Sequence, residues 1–190
     1  MTKLPKIALL GRPNVGKSAL FNRICGKRIA IVDEAEGITR DRLYQQTECF
    51  GKPFELIDTG GINPHSKQDF NEEVKQQAEI AIEEADSLIM VVDSQIGVTS
   101  LDKELSLLFH KTNKPLTLAI NKIDNSNQEI NLHEFYSLGF DHMVPVSATQ
   151  GRQIAEMLEQ ALATLPNIAP DQLSQHPKLA IVGQANVGKS

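Results

Sequence analysis

The chain contains no tryptophan, two tyrosines and two cysteines, and aromatic residues make up 5% of its 190 positions. Cys25 and Cys49 stand too far apart in sequence for a metal clip, and two thiols make no disulfide framework, so both read as small apolar residues. The five histidines, His65, His110, His133, His142 and His176, form no i, i+4 pair and have no partnering cysteine. That pattern assigns them surface or capping roles rather than metal ligation. Positive charge is also short: 19 Lys and Arg face 24 Asp and Glu, a net charge of −5. No overall field draws such a chain onto nucleic acid or anionic lipid, which leaves only local basic patches. Long apolar runs are missing as well. The Ser87–Val92 stretch falls far below the roughly 20 residues a membrane helix needs, and no signal-peptide core follows Met1-Thr2-Lys3. The expected setting is the cytoplasm, with no membrane partner.

What remains is ordinary globular usage, 41% hydrophobic and 23% charged. At about 150 residues per domain, the length covers one domain with a remainder. The remainder is informative. Lys6–Ser18 (KIALLGRPNVGKS) recurs as Lys178–Ser190 (KLAIVGQANVGKS), identical at eight of thirteen positions and displaced by 172 residues. A repeat at domain spacing reads as the start of a second copy, so the chain is expected to be a fragment of a longer tandem protein. Three prolines among Leu165–Pro177 mark an extended connector. The expected organisation is one domain over 1–165, a linker over 166–177, and a truncated strand and loop over 178–190.

Within the first domain, short β-rich runs alternate with longer helical patterns. Strands are predicted at Ile7–Leu10, Leu43–Phe50, Pro53–Ile57, Leu88–Val92, Leu116–Ile120 and Met143–Pro145, with Gly51-Lys52 as a hairpin turn. Helices are predicted at Lys17–Cys25, Phe70–Glu84, Ser100–Lys111, Glu129–Leu138 and Gly151–Leu165. Such alternation gives a three-layer α/β fold: a six-stranded, mostly parallel sheet with one antiparallel hairpin and helices on both faces. Ligands of these sheets sit at the carboxyl ends of the strands.

The chemistry-bearing residues fall at those ends. Gly11–Ser18 matches G-x-x-x-x-G-K-[ST] between a predicted strand and helix. Its glycines let backbone N–H groups and a helix N-terminus face phosphates, Lys17 reaches the β- and γ-phosphates, and the Ser18 hydroxyl ligates Mg²⁺. Gly11, Asn14, Val15, Gly16, Lys17, Ser18 and Ala19 form the expected phosphate cradle. Asn121-Lys122-Ile123-Asp124 follows the Leu116–Ile120 run and has the N-K-x-D pattern. The Asp124 carboxylate accepts from guanine N1–H and its exocyclic amine, whereas adenine lacks the amine and presents an acceptor at N1. A polar site of this kind discriminates by about 10⁴ to 10⁵, so GTP and GDP are favoured over ATP. Asn121 is expected to bridge loops, the Lys122 stem to cover the base, and Ser147-Ala148 to bring a backbone N–H to guanine O6. Asp58-Thr59-Gly60-Gly61 places a carboxylate toward Mg²⁺ and a Gly61 N–H toward the γ-phosphate, and Thr39 offers a hydroxyl to both. Loops ordered by a γ-phosphate constitute a switch.

Taken in order, Gly11–Ser18, Thr39, Asp58–Gly61, Asn121–Asp124 and Ser147-Ala148 resemble the Era-type GTPases across the first domain. The Gly37–Arg42 segment, Asp58–Gly61 and the second phosphate loop resemble in particular the Der (EngA) family, bacterial GTPases with two tandem G domains and a KH-like domain. That resemblance implies Mg²⁺-dependent GTP hydrolysis, with Lys17, Thr39, Gly61 and Asn14 as catalytic residues, and a role in assembly of the large ribosomal subunit. It implies contact with that subunit and its rRNA through the full-length protein; the fragment itself is expected to be monomeric. Ile62 stands where many relatives carry a water-orienting glutamine. Asparagine at the Asn14 position implies a potassium ion that replaces an arginine finger, with Arg40 or Arg42 as rival sources of charge. Other readings are a GTP-sensing docking module with little hydrolysis and an Era-like or tRNA-modification GTPase.

Overall fold

The computed structural model describes residues 4–26, 43–59 and 70–166. In chain order these form β1 (Lys6–Leu10), α1 (Lys17–Cys25), β2 (Leu43–Cys49), β3 (Lys52–Asp58), α2 (Phe70–Glu84), β4 (Ser87–Asp93) and α3 (Ser100–His110). They continue through β5 (Leu116–Asn121), a 3₁₀ segment (Ser126–Leu138), β6 (Met143–Pro145) and α4 (Ile154–Leu162). The sheet order is β2-β3-β1-β4-β5-β6, with every pairing parallel except β2 with β3. The expected six-stranded architecture with one antiparallel hairpin is therefore observed. All but the first residue of the expected linker over 166–177, and the second loop copy over 178–190, lie outside the described residues, as do Thr39, Arg40, Arg42, Gly60, Gly61 and Ile62.

Period-two alternation divides the sheet into two buried faces. Ala8, Leu10, Ile57, Met90, Val92 and Ile120 join α2, α3 and the 3₁₀ segment in one core. Ile7, Leu9, Leu56, Ile89, Val91 and Ala119 join α1 and α4 in the other. All seven residues of β4 are buried, as a central parallel strand covered on both faces requires. Cys25 and Cys49 are free thiols packed beside the second core, and burial pushes the Cys25 thiol up to about 11. Apolar surroundings thus leave them as the small hydrophobes expected from sequence.

Several boundaries move for identifiable reasons. The hairpin turn is Phe50-Gly51, one residue before the expected position. Cys49 pairs with Lys52, and Phe50 (φ 52) and Gly51 (φ 72) both take the left-handed conformation of a two-residue type I′ turn. The helix expected at Glu129–Leu138 is instead a 3₁₀ segment from Ser126. Its apolar residues Leu132, Phe135 and Leu138 recur every third position, the period of a 3₁₀ helix, so all three reach the core. The last helix starts at Ile154 rather than Gly151. The Gly151 and Arg152 N–H groups donate to the Ser147 carbonyl at 2.8 and 3.1 Å, and Gln153 (φ 52) caps in left-handed geometry, so 147–153 is a closed loop. Lys114 supplies a cation at the C-terminal end of α2, donating to the carbonyls of Ile82, Glu83 and Ala85.

Candidate functional site

The order in which strands are added reverses at β1: β3 lies on one side and β4 on the other, and the connections then proceed outward through β5 and β6. A crevice forms at such a switch point, outside the carboxyl ends of the strands. The loop leaving β1 occupies it, and its conformation depends on two glycines. A Cβ on Gly11 (φ 143) would lie 2.3 Å from the Val91 carbonyl oxygen; one on Gly16 (φ 96) would lie 2.3 Å from Asn121 Nδ2. Neither the backbone angles nor the space admits a side chain. Asn14 also adopts positive φ, 65°, and is exposed, Val15 is fully buried, and Ser18 and Ala19 are exposed on the first turn of α1.

Lys17 is the buried cation of the loop. Its Nζ donates to the carbonyls of Gly11 at 2.8 Å and Arg12 at 3.0 Å, with 7% of the residue exposed. Burial lowers its pKa from 10.5 to about 8; the nearby Asp58 carboxylate works against that loss and the Arg12 guanidinium adds to it. Asp58, at the end of β3, is 1% exposed. Thr59 follows the strand, and its hydroxyl donates to the Leu9 carbonyl at 3.0 Å, which ties the start of the Asp58–Gly61 motif to β1. Arg12 leans the other way, with Nε 3.4 Å from the fully buried Asp102 carboxylate. Asp102 in turn closes the Thr99 capping box at the start of α3.

The depressed Lys17 pKa has a consequence for the nucleotide-free protein. The unfolded chain holds the Lys17 proton up to pH 10.5 and the folded chain only to about 8, so stability rises with pH across that interval. Cys25, raised to about 11, acts in the opposite direction above its ordinary value of 9.0. Urea unfolding of the parent chain and Lys17→Met from pH 7 upward isolates the lysine. The parent is expected to gain stability relative to the variant between pH 8 and 9, and parallel curves would contradict the assignment.

A second set of loops meets the first at β5. Asn121 donates from Nδ2 to the Val15 carbonyl at 2.8 Å and accepts at Oδ1 from the Ala148 N–H at 3.1 Å. One buried side chain thus ties the phosphate loop to the 147–149 loop. Lys122 (φ 71) places its ammonium 2.6 Å from Asp93 Oδ2, and Asp93 is fully buried at the end of β4. Asp124 is exposed; its Oδ1 accepts the Ser147 hydroxyl at 2.6 Å and the Thr149 hydroxyl at 3.1 Å. Its backbone N–H donates to Gln128 Oε1 at 2.7 Å. Arg23 of α1 holds the adjoining turn, donating from Nε to the Ala148 carbonyl at 2.8 Å and from Nη2 to that of Thr149. A cavity of about 240 Å³ adjoins this loop, walled by Ser94, Gln95, Lys122, Gln128, Leu132 and Phe135.

The structure therefore brings Gly11–Ala19, Asp58, Asn121–Asp124 and Ser147-Ala148 to one end of the sheet. It adds supports that motif reading passed over: Arg23, Asp93, Gln128 and Thr149. Asp93 had a signal, a lone carboxylate ending an otherwise apolar strand, and Thr149 stands directly beside Ser147-Ala148. Gln128 had one too, the N-x-x-Q spacing from Asn125 of a capping box, which the structure shows closed. Arg23 had none, because its partners are backbone carbonyls.

A family described as "50S ribosome-binding GTPase" matches residues 6–122. The chain belongs to the 50S ribosome-binding GTPase family. It is 61% identical over 191 aligned residues to GTPase Der of Protochlamydia amoebophila (strain UWE25). That alignment takes in 100% of this chain and 39% of the relative, so the chain spans well under half of that protein. Solved GTPase structures superpose on the same fold. Aquifex aeolicus Era bound to GDP·AlF4⁻, crystallised as a point variant, gives a TM-score of 0.68 at 28% identity, covering 87% of this chain and 58% of its own. Era in complex with MgGDPNP and a segment of 16S ribosomal RNA gives 0.69 at 29%, covering 90% and 59%. Among the described residues, no helix is long and apolar enough to cross a membrane.

Proposed function

We propose that this chain is the first of two tandem G domains and hydrolyses GTP as a conformational switch. The single observation that carries this reading is the Asn121 bridge: from the loop that also bears the Asp124 carboxylate, its side chain joins the lysine-bearing phosphate loop to the 147–149 loop through two buried hydrogen bonds. A nucleotide laid across that bridge spans both. Its phosphates meet the Gly11–Ala19 cradle, where the close approaches at Gly11 and Gly16 leave backbone groups unshielded by side chains. The Lys17 ammonium exchanges its two loop carbonyls for phosphate oxygens, and the arriving negative charge raises its depressed pKa, so the proton stays on Nζ. Guanine donates to Asp124, and Ser147-Ala148 lies beside it.

Hydrolysis adds water to the γ-phosphorus as the bond to the β–γ bridging oxygen breaks, giving GDP and inorganic phosphate. Ser18, Asp58 and Thr39 are the residues that would hold Mg²⁺: an exposed hydroxyl at the helix start and a buried carboxylate near Lys17 are hard oxygen donors of the kind this ion takes. Bound there, the ion neutralises charge on the phosphate oxygens. Thr39 and the Gly61 N–H are assigned to the γ-phosphate side. Asn14, exposed and held at positive φ on the rim of the cradle, suits a potassium ligand. The domain occupies 1–165, the linker 166–177 and the second copy begins at 178. In the cytoplasm the full-length protein acts in assembly of the large ribosomal subunit through contact with rRNA, while this chain by itself is a monomer.

Single-turnover GTP hydrolysis with Mg²⁺, in potassium and then in sodium at matched ionic strength, tests the cation. A monovalent ion standing in for an arginine finger is expected to raise the rate at least about tenfold, a small part of the 10³ to 10⁵ an arginine supplies. Asn14→Ala is expected to abolish the difference. Equal rates in both salts with GTP still bound would remove potassium from the mechanism and favour a docking module.

A further inference from the structure

We propose that Thr149 sets base specificity by fixing the plane of the Asp124 carboxylate. The inference rests on the guanine reading of the site and goes beyond it, because Thr149 belongs to neither base-recognition motif. Asp124 Oδ1 accepts two hydroxyls, from Ser147 at 2.6 Å and from Thr149 at 3.1 Å. Each hydroxyl has one proton. The Gln150 N–H donates to Ser147 Oγ at 3.0 Å, which fills an acceptor site of that serine and leaves its proton for Asp124. Thr149 Oγ1 also lies 3.0 Å from Ser147 Oγ, and of its two neighbours the charged carboxylate is the stronger acceptor for the threonine proton. One donor fixes a distance and leaves the carboxylate group able to rotate; two donors from different residues fix its plane as well. Oδ1 is thereby held, and the carboxylate is presented to the ligand in one plane. The rest of the turn is held independently, since Arg23 clasps the Ala148 and Thr149 carbonyls and Gln128 Oε1 takes the Asp124 N–H.

A fixed carboxylate plane matters unequally for different purines. Guanine presents two donors, N1–H and the exocyclic amine, and both contacts form only when the carboxylate lies in the plane of the base. Hypoxanthine presents N1–H alone, a single contact that a rotating carboxylate can still follow. Loss of the Thr149 hydroxyl therefore weakens GDP more than IDP. One hydrogen bond to a charged group corresponds to roughly a tenfold change in affinity.

Dissociation constants for GDP and IDP, measured on this 190-residue chain with Thr149→Val and Thr149→Ser, test the assignment. Thr149→Val is expected to weaken GDP about tenfold and IDP less than about threefold, and Thr149→Ser is expected to restore the parental ratio. Thr149 is exposed, so the valine is not expected to disturb folding, and thermal unfolding checks this directly. Equal weakening of both nucleotides, or an unchanged ratio, overturns the proposal while the guanine reading stands. Failure of the parent chain to prefer GDP over ADP overturns the guanine reading and the Thr149 role with it.

Discussion

Asp124→Asn is expected to weaken GDP and GTP binding by about 10² to 10³ and to create affinity for xanthine nucleotides. Two contacts from guanine to one charged acceptor are each worth about 1.5–3 kcal/mol, and an amide in that place turns one acceptor into a donor facing donors. Xanthine carries a carbonyl where guanine carries its amine, so the new donor meets an acceptor. The Ser147 and Thr149 hydroxyls that hold the Asp124 Oδ1 atom suit the amide oxygen equally well, which keeps the replacement in place. Competition of GDP and XDP for the parent and variant chains, at fixed Mg²⁺ and salt, reads the exchange directly. A variant that retains GDP and ignores XDP would show that the base is recognised elsewhere.

The second large effect belongs to Gly16→Ala. A Cβ there would come within 2.3 Å of Asn121 Nδ2 while that nitrogen donates to the Val15 carbonyl at 2.8 Å. The methyl group cannot coexist with the bridge, and φ of 96° is itself unfavourable for alanine. Strain at such a residue costs about 1–3 kcal/mol and the orphaned buried amide a similar amount, so a loss of about 2–6 kcal/mol in stability is expected. Nucleotide affinity is expected to fall by more than about 100-fold, because the phosphate and base loops lose their common tie. Gly26→Ala is the matched control: its φ is 71° and a Cβ there meets nothing within 4 Å, so it carries the backbone strain alone. Equal effects of the two substitutions would refute the role of the bridge.

Most of the sheet was legible because its strands are short apolar runs ending in polar punctuation. Leu88–Val92 could be nothing but a buried strand, and Gly11–Ser18 and Asn121–Asp124 mark two strand ends by themselves. The places where reading failed share a cause. Phe50-Gly51 is a two-residue turn with an aromatic residue in left-handed conformation, a position where composition would put glycine or asparagine. The Leu132, Phe135 and Leu138 triad satisfies a three-residue period and the 3.6-residue period almost equally over so short a span. At the site, the charged residues fall in motifs, whereas Arg23 acts by holding backbone carbonyls and leaves no pattern in a single sequence.

The proposed activity is binding and cleavage of a guanine nucleotide at one end of this sheet. Single-turnover release of inorganic phosphate from GTP and from ATP, by the parent chain with Mg²⁺ and potassium, tests it most directly, with Lys17→Met alongside. Phosphate released from GTP alone and abolished by Lys17→Met is the predicted result. Release from ATP at a comparable rate, or release from GTP that survives Lys17→Met, would contradict it.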